Sequence, residues 1–228
     1  PKDSPLRKTL KLVNPLGEDT SIMRTIILPS MLDILARNYA MKNKGVKLYE
    51  LGRVYLPVDG QDLPEEPRHL IFGTYGEHEN FFTMKGEIDA LLALLNVKPA
   101  EYVANRENPS YHPGRCADIL IDGKLAGTIG QIHPLVAETY GIGGEVYVAD
   151  LDFTTIEASL AEERVFHSLP RFPAVSRDIA VVCDKAIPVG DLEECIRRGA
   201  KGLLKAVELF DIYTGAPIPA GKKSVAFN

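Results

Sequence analysis

Two periods of apolar residues alternate along the chain. Leu32, Leu35, Ala36 and Tyr39 recur at helical spacing after Pro29, which suits the first turn of a helix because its missing N–H costs nothing there. Gly45, after Lys42 and Lys44, reads as the stop of that helix. Ile22 to Leu28 before it reads as a short apolar strand or approach segment. Lys47 to Tyr55 and Arg68 to Tyr75 are strand-like, and the Pro-, Gly- and acid-rich stretch Asp59 to Pro67 between them must be a loop. Ile88, Leu91, Leu92 and Leu95 fit i, i+3, i+4, i+7 and predict an amphipathic helix. Ala117–Ile121 and Leu125–Ile129 flank Asp122-Gly123-Lys124, and an Asp-Gly between two apolar runs predicts a hairpin. Pro134 opens a short helix ending near Gly141, and Val146 to Leu151 is a further strand. Antiparallel strands with separate helices make this an α+β region.

The composition shifts at Glu157 to His167, a charged linker or short helix. Beyond Pro173 the pattern predicts a strand (Asp178–Val182), a helix (Asp191–Leu204), a strand (Val207–Tyr213), a turn at Thr214-Gly215 and a strand from Ser224. In the first of the last two strands, Val207, Leu209, Asp211 and Tyr213 share one face and Glu208, Phe210 and Ile212 the other. The order β-α-β-β opens a ferredoxin-like βαββαβ unit and stops at Asn228, before a second helix and last strand. The expected organisation is one domain over 1–160, a linker over 161–167 and a truncated domain over 168–228.

Charge and composition narrow the function. The 228 residues are 45% hydrophobic and 25% charged, an ordinary globular profile, and no apolar run approaches the roughly 20 residues of a membrane span. Pro1 to Lys11 has alternating charges and no apolar signal core; beginning on Pro, the sequence reads as an excised piece. The net charge of −5 argues against unspecific nucleic-acid binding by the whole surface. That charge is uneven, at +2 over residues 168–228 against −7 before them, so the C-terminal part is the better candidate for meeting RNA. Cys116, Cys183 and Cys195 form no CxxC pair, so they read as packing residues in a reducing compartment, not as a zinc site.

Leu12 to Asn38, "LVNPLGEDTSIMRTIILPSMLDILARN", and Val46 to Pro57, "VKLYELGRVYLP", resemble the synthetase-like domain of bacterial phenylalanine–tRNA synthetase beta subunits. Leu169 to Glu194, "LPRFPAVSRDIAVVCDKAIPVGDLEE", and Val207 to Phe227, "VELFDIYTGAPIPAGKKSVAF", resemble that family's ferredoxin-like anticodon-binding domain. The resemblance implies a class II synthetase-like antiparallel sheet followed by a partial anticodon-binding domain. It implies a cytoplasmic chain that pairs with a catalytic alpha subunit and binds tRNA, with no membrane or DNA partner. ATP and Mg²⁺ would belong to the assembled enzyme, and this chain would hold no cofactor, metal or editing site of its own.

Class II synthetases hold ATP through two arginines that stabilise phosphate charge. By resemblance, Gly52-Arg53-Val54-Tyr55 precedes the first arginine position, which here is Leu56. Asp150 and Asp152 fall on glycine positions of the second motif and Thr155 on its arginine. Carboxylates there would repel ATP, so no catalytic residue is expected in this chain; the bland alternative for both is a solvated strand end. The acidic run Asp150, Asp152, Glu157, Glu162 and Glu163 reads as a solvated linker face. His112-Pro113-Gly114 and His133-Pro134 read as turn and helix-entry elements, beside the scattered His69, His78 and His167. Gly141, Gly143 and Gly144 lack the Lys-Ser/Thr of a phosphate loop. Met31, Ile34 and Leu35 belong either to the core or to a subunit interface.

For tRNA the candidates are Arg171, Arg177, Lys222 and Lys223 as phosphate contacts, with Phe172 and Tyr213 as stacking rings. Against these stand an Arg177–Asp178 ion pair and a core role for Phe172. Two other functions remain open: a self-sufficient adenylate-forming enzyme, and a protein- or metabolite-binding module.

Overall fold

The computed structural model describes residues 3–160, 172–200 and 202–228. The chain divides into two compact units, Pro1–Val165 and Phe166–Asn228.

The first unit is built on a six-stranded antiparallel sheet. Its strands are β1 (Val46–Arg53), β2 (Arg68–Tyr75), β3 (Glu101–Ala104), β4 (Tyr111–Ile121), β5 (Lys124–Ile132) and β6 (Tyr147–Asp152), in the spatial order β1-β2-β6-β5-β4-β3. Helices α1 (Leu28–Ala40) and α3 (Pro134–Thr139) lie on one face, and α2 (Phe81–Leu94) and α4 (Phe153–Ala158) on the other. The alternation of β2 sends Ile71 and Tyr75 into the first core with Leu28, Met31, Leu32 and Leu35 of α1. It sends Leu70 into the second, with Met84, Ile88 and Leu92 of α2. Both faces of this central strand are therefore apolar. The Asn80 side chain caps α2 by accepting from the Phe82 and Thr83 N–H groups, and Thr83 returns a bond in a capping box. The hairpin turns as expected at Asp122 (φ 49°) and Gly123 (φ 74°), a pair of left-handed residues that matches strand twist.

Several boundaries differ from the sequence reading. Helix α1 ends at Ala40 and the chain turns at Lys42 (φ 64°), ahead of Gly45, because the Lys42 N–H already closes on the Tyr39 carbonyl. His112-Pro113-Gly114 is not a separate turn. It lies inside β4, where the register breaks between Tyr111 and Cys116 and absorbs the proline as a bulge. His133 is a helix entry, its Nδ1 accepting from the Leu135 N–H at 3.2 Å. Edge strand β3 had no signal, being four mostly exposed residues. Met31 and Leu35 are core; only Ile34 of that trio is exposed.

The second unit is a three-stranded antiparallel sheet under one helix: β7 (Ile179–Asp184), α5 (Val189–Gly199), β8 (Leu209–Tyr213) and β9 (Lys222–Phe227). The spatial order is β7-β9-β8, the split arrangement in which a later strand inserts between two joined by a helix. Helix α5 stops at Gly199, short of the expected Leu204. Leu192 and Ile196 of α5 pack with Ile187, Val189 and Val207 on Cys183, Val225 and Phe227. Cys195 faces solvent, which corrects its reading as a packing residue: its neighbours Leu192 and Ile196 take the inward stripe. Of the three cysteines, Cys116 and Cys183 are buried. The expected linker 161–167, with Glu162, Glu163 and His167, lies outside the described residues.

Among the described residues, no helix is long and apolar enough to cross a membrane.

Candidate nucleic-acid interface

Among the described residues, no element covers the face of the small sheet turned away from α5. Cys183, Val225 and Phe227 point to the helix, so the residues between them point away. Register then assembles this open face: Ala180 opposite Ala226, Val182 opposite Ser224, Asp184 opposite Lys222. On β8 a register shift between Leu209 and Asp211 makes Phe210 an extra residue. Leu209 pairs with buried Phe227, but Asp211 pairs with Ala226 and Tyr213 with Ser224. The bulge thus moves Asp211 and Tyr213 to the open face, overturning the alternation that grouped them with Val207 and Leu209.

Small side chains at Ala180, Ala226 and Ser224 leave a flat floor. Tyr213 stands beside it, 47% exposed, with its hydroxyl donating to the Ala216 carbonyl at 2.8 Å. Asp211 offers a carboxylate, which can only accept hydrogen bonds when ionised. An aromatic wall, a flat floor and an acceptor suit an unpaired base with a donating edge. The floor carries little spare positive charge, because Lys222 lies 3.4 Å from Asp184.

The sequence candidates scatter around this face. Arg177 is exposed just before β7, and the expected pair with Asp178 is not among the bonds of the described residues; Asp178 instead accepts from Asn228 Nδ2 at 2.6 Å. Lys222 lies on the open face. Lys223 is directed to the other side, its ammonium half-buried and donating to the Ile187 carbonyl at 2.5 Å. Arg171 lies outside the described residues. Phe172 is 83% exposed, not core. Ala180, Asp211, Ser224 and Ala226 were missed as floor residues. A β-α-β-β reading with an α5-facing register could have found Ala180, Ser224 and Ala226, but Asp211 needed the bulge.

In the first unit, the positions expected to lack ATP-binding arginines are filled by other bonds. Leu56 exchanges two backbone hydrogen bonds with Glu65, both 2.9 Å, closing the β1–β2 connection. The Thr155 hydroxyl donates to Asp152 at 2.8 Å, and Asp152 caps α4 by accepting from the Thr154 N–H at 2.9 Å. Asp150 bonds His69 Nδ1 at 2.7 Å, and Glu157 pairs with Arg68. Asp150, Asp152 and Glu157 are thus bound groups and not a solvated linker face or strand end. Arg24 and Arg53 line a cleft of about 680 Å³ with Thr9, Asp19, Ser30 and Tyr55. Each already has a carboxylate: Glu50 at 2.7 Å from Arg24 and Glu66 at 2.8 Å from Arg53. Neither presents an uncompensated charge to a phosphate. Gly52 makes room for this arrangement, since a Cβ there would lie 2.3 Å from Arg24 Nη2. Among the described residues, no cluster of three or more His, Cys, Asp or Glu side chains could hold a metal ion.

The hydrogen bond to Asp150 raises the His69 pKa, with help from the Asp152 charge and opposition from burial and Arg24. A histidine with a raised folded-state pKa adds stability that is complete below its unfolded value, about 6.5. That stability is lost as pH rises through the folded value. His69→Gln should therefore cost stability near pH 6 and progressively less above it. Urea unfolding midpoints from pH 5.5 to 8 check this, and a pH-independent difference would contradict it.

The description "Phenylalanyl tRNA synthetase beta chain CLM domain" matches residues 2–153, and "Ferredoxin-fold anticodon binding domain" matches residues 170–228. The chain is 42% identical over 229 residues to a phenylalanine–tRNA ligase beta subunit of Clostridium tetani, covering 100% of this chain and 29% of that protein. It is 41% identical over 228 residues to the same subunit of Clostridium acetobutylicum, again with 100% and 29% covered. It thus spans under a third of the length of these relatives. Among solved structures, the pyrrolysyl-tRNA synthetase of Desulfitobacterium hafniense superposes with a TM-score of 0.54 at 13% identity, over 69% of this chain and 55% of that one. That likeness bears on fold alone.

Proposed function

Since this chain belongs to the phenylalanyl tRNA synthetase beta chain family, we propose that it is a non-catalytic part of a phenylalanine–tRNA ligase that binds the anticodon region of tRNA. The observation that carries this is the open face of the ferredoxin-fold unit, where Tyr213 and Asp211 border a floor of Ala180, Ala226 and Ser224. An anticodon base stacks on Tyr213 and donates from its edge to Asp211. Arg177, exposed just before β7, meets the backbone from the rim, and Arg171 remains a candidate for the same work; Lys222, held near Asp184, is the weaker candidate.

The first unit serves assembly. Val13, Leu16, Ile22, Ile26 and Ile34 are exposed along the N-terminal segment and α1, an apolar surface suited to a catalytic alpha subunit. ATP and Mg²⁺ act on that partner, in the cytoplasm where charged tRNA is used. Adenylate formation is assigned to that partner; the paired state of Arg24 and Arg53 supports this, as do Leu56 and Thr155, which stand where the resemblance puts the arginines.

Phenylalanine-dependent ATP–pyrophosphate exchange tests the division of labour. Exchange is expected to be absent for this chain alone and present when the full-length beta chain is assembled with its catalytic partner. Exchange by this chain alone would show that the arginine positions have been misplaced and that the first unit is an enzyme in its own right.

A further inference from the structure

The Tyr213 ring is held by the turn that follows it. Its hydroxyl bonds the Ala216 carbonyl at 2.8 Å, and the turn is closed by the Ile218 N–H on the Gly215 carbonyl at 2.9 Å. A Cβ on Gly215 would lie 2.4 Å from the Tyr213 hydroxyl oxygen, 2.7 Å from Cζ and 3.3 Å from Cε2. Non-bonded carbon and oxygen do not approach to the first two distances, so any side chain here displaces the ring or opens the turn. The absence of a Cβ at residue 215 lets the phenol lie this close to the turn.

We propose that Gly215 is a positioning residue for tRNA: it lets the 215–218 turn clamp the Tyr213 phenol at one angle, leaving a ring face free beside Ser224 for a base. The inference rests on reading the open face as the base platform. A tyrosine at the end of an exposed strand would otherwise sample several rotamers. Each binding event would then have to order it, and a ring clamped beforehand removes that cost. The hydroxyl bond sets the ring's reach, and the missing Cβ at Gly215 sets how closely the turn lies against it.

The test uses the assembled synthetase, aminoacylating its tRNA and a tRNA with one anticodon base changed. Gly215→Ala is expected to raise KM for tRNA about tenfold, the scale of one lost base stack, with the effect on KM and not kcat. Discrimination between the two tRNAs should shrink with it. Tyr213→Phe adds no atoms and keeps the ring, so it cannot fail by overpacking. It loses only the clamp to Ala216 and should raise KM several-fold. If Gly215 acts through Tyr213, the double variant Tyr213→Ala/Gly215→Ala should be no worse than Tyr213→Ala. Multiplying losses in the double variant would overturn the proposal. So would an unchanged KM for Gly215→Ala where Tyr213→Ala is impaired, and that outcome would leave the platform reading standing. An unchanged KM for Tyr213→Ala itself would sink the platform reading and the proposal together.

Discussion

Tyr213→Ala in the assembled synthetase is expected to raise KM for tRNA by roughly 5- to 150-fold. The range follows from about 1–3 kcal/mol for a base stacked on an aromatic ring. Three features place this ring above the other candidates. It stands on the face away from α5, opposite Ser224, whose small side chain leaves room beside it. Its hydroxyl is already bonded to Ala216, so the ring is oriented before a base arrives. Asp211 shares the face and supplies an acceptor that stacking alone lacks. Phe172 is more exposed but precedes the sheet, and its loss should have a smaller effect. Steady-state aminoacylation over a tRNA titration reads the result. An unchanged KM would move the search to the face of α5, where Arg197 and Arg198 lie in the last turn.

Phe227→Ala is expected to unfold the second unit while the first keeps its structure. Truncating a fully buried phenylalanine costs about 3–5 kcal/mol. The second unit has 63 residues, Phe166–Asn228, and at about 0.05–0.15 kcal/mol per residue its whole stability is of that order. Its buried centre is Cys183, Val225 and Phe227, with half-buried side chains from α5 and its flanks. Phe227 is 1% exposed, at the point where β9 meets both Leu209 and Ile179. Among the described residues, the other buried side chains there, Cys183 and Val225, are small. Hydrogen exchange should show protection lost across β7, β8 and β9 and kept in β1 to β6. Protection surviving in β9 would mean that the small sheet draws its stability from elsewhere.

The first unit was legible because its elements repeat a local signal. The i, i+3, i+4, i+7 leucines and isoleucine of α2 and the Asp-Gly between apolar runs each report a conformation set by near neighbours. So does Arg68–Tyr75. What escaped had no local signature. Strand β3 is an exposed edge, so burial wrote no alternation into it. The acidic residues Asp150 and Asp152 looked solvated because their partners are a histidine 81 positions away and the first turn of the next helix.

The candidate site divides in the same way. Residue types and order determined that a β-α-β-β unit closes this chain, that Tyr213 ends its second strand, and that a glycine follows two positions later. The side of the sheet on which Tyr213 stands was decided by the tertiary structure. One extra residue, Phe210, is accommodated against β9, and in a strand with a period of two a single added residue exchanges the faces of everything beyond it. How closely Gly215 lies to the Tyr213 ring was likewise decided there, because the atoms a Cβ would strike belong to a ring whose position depends on how the turn folds back. Local propensity records what a residue can do; the pairing of β8 with β9 determines which surface receives it.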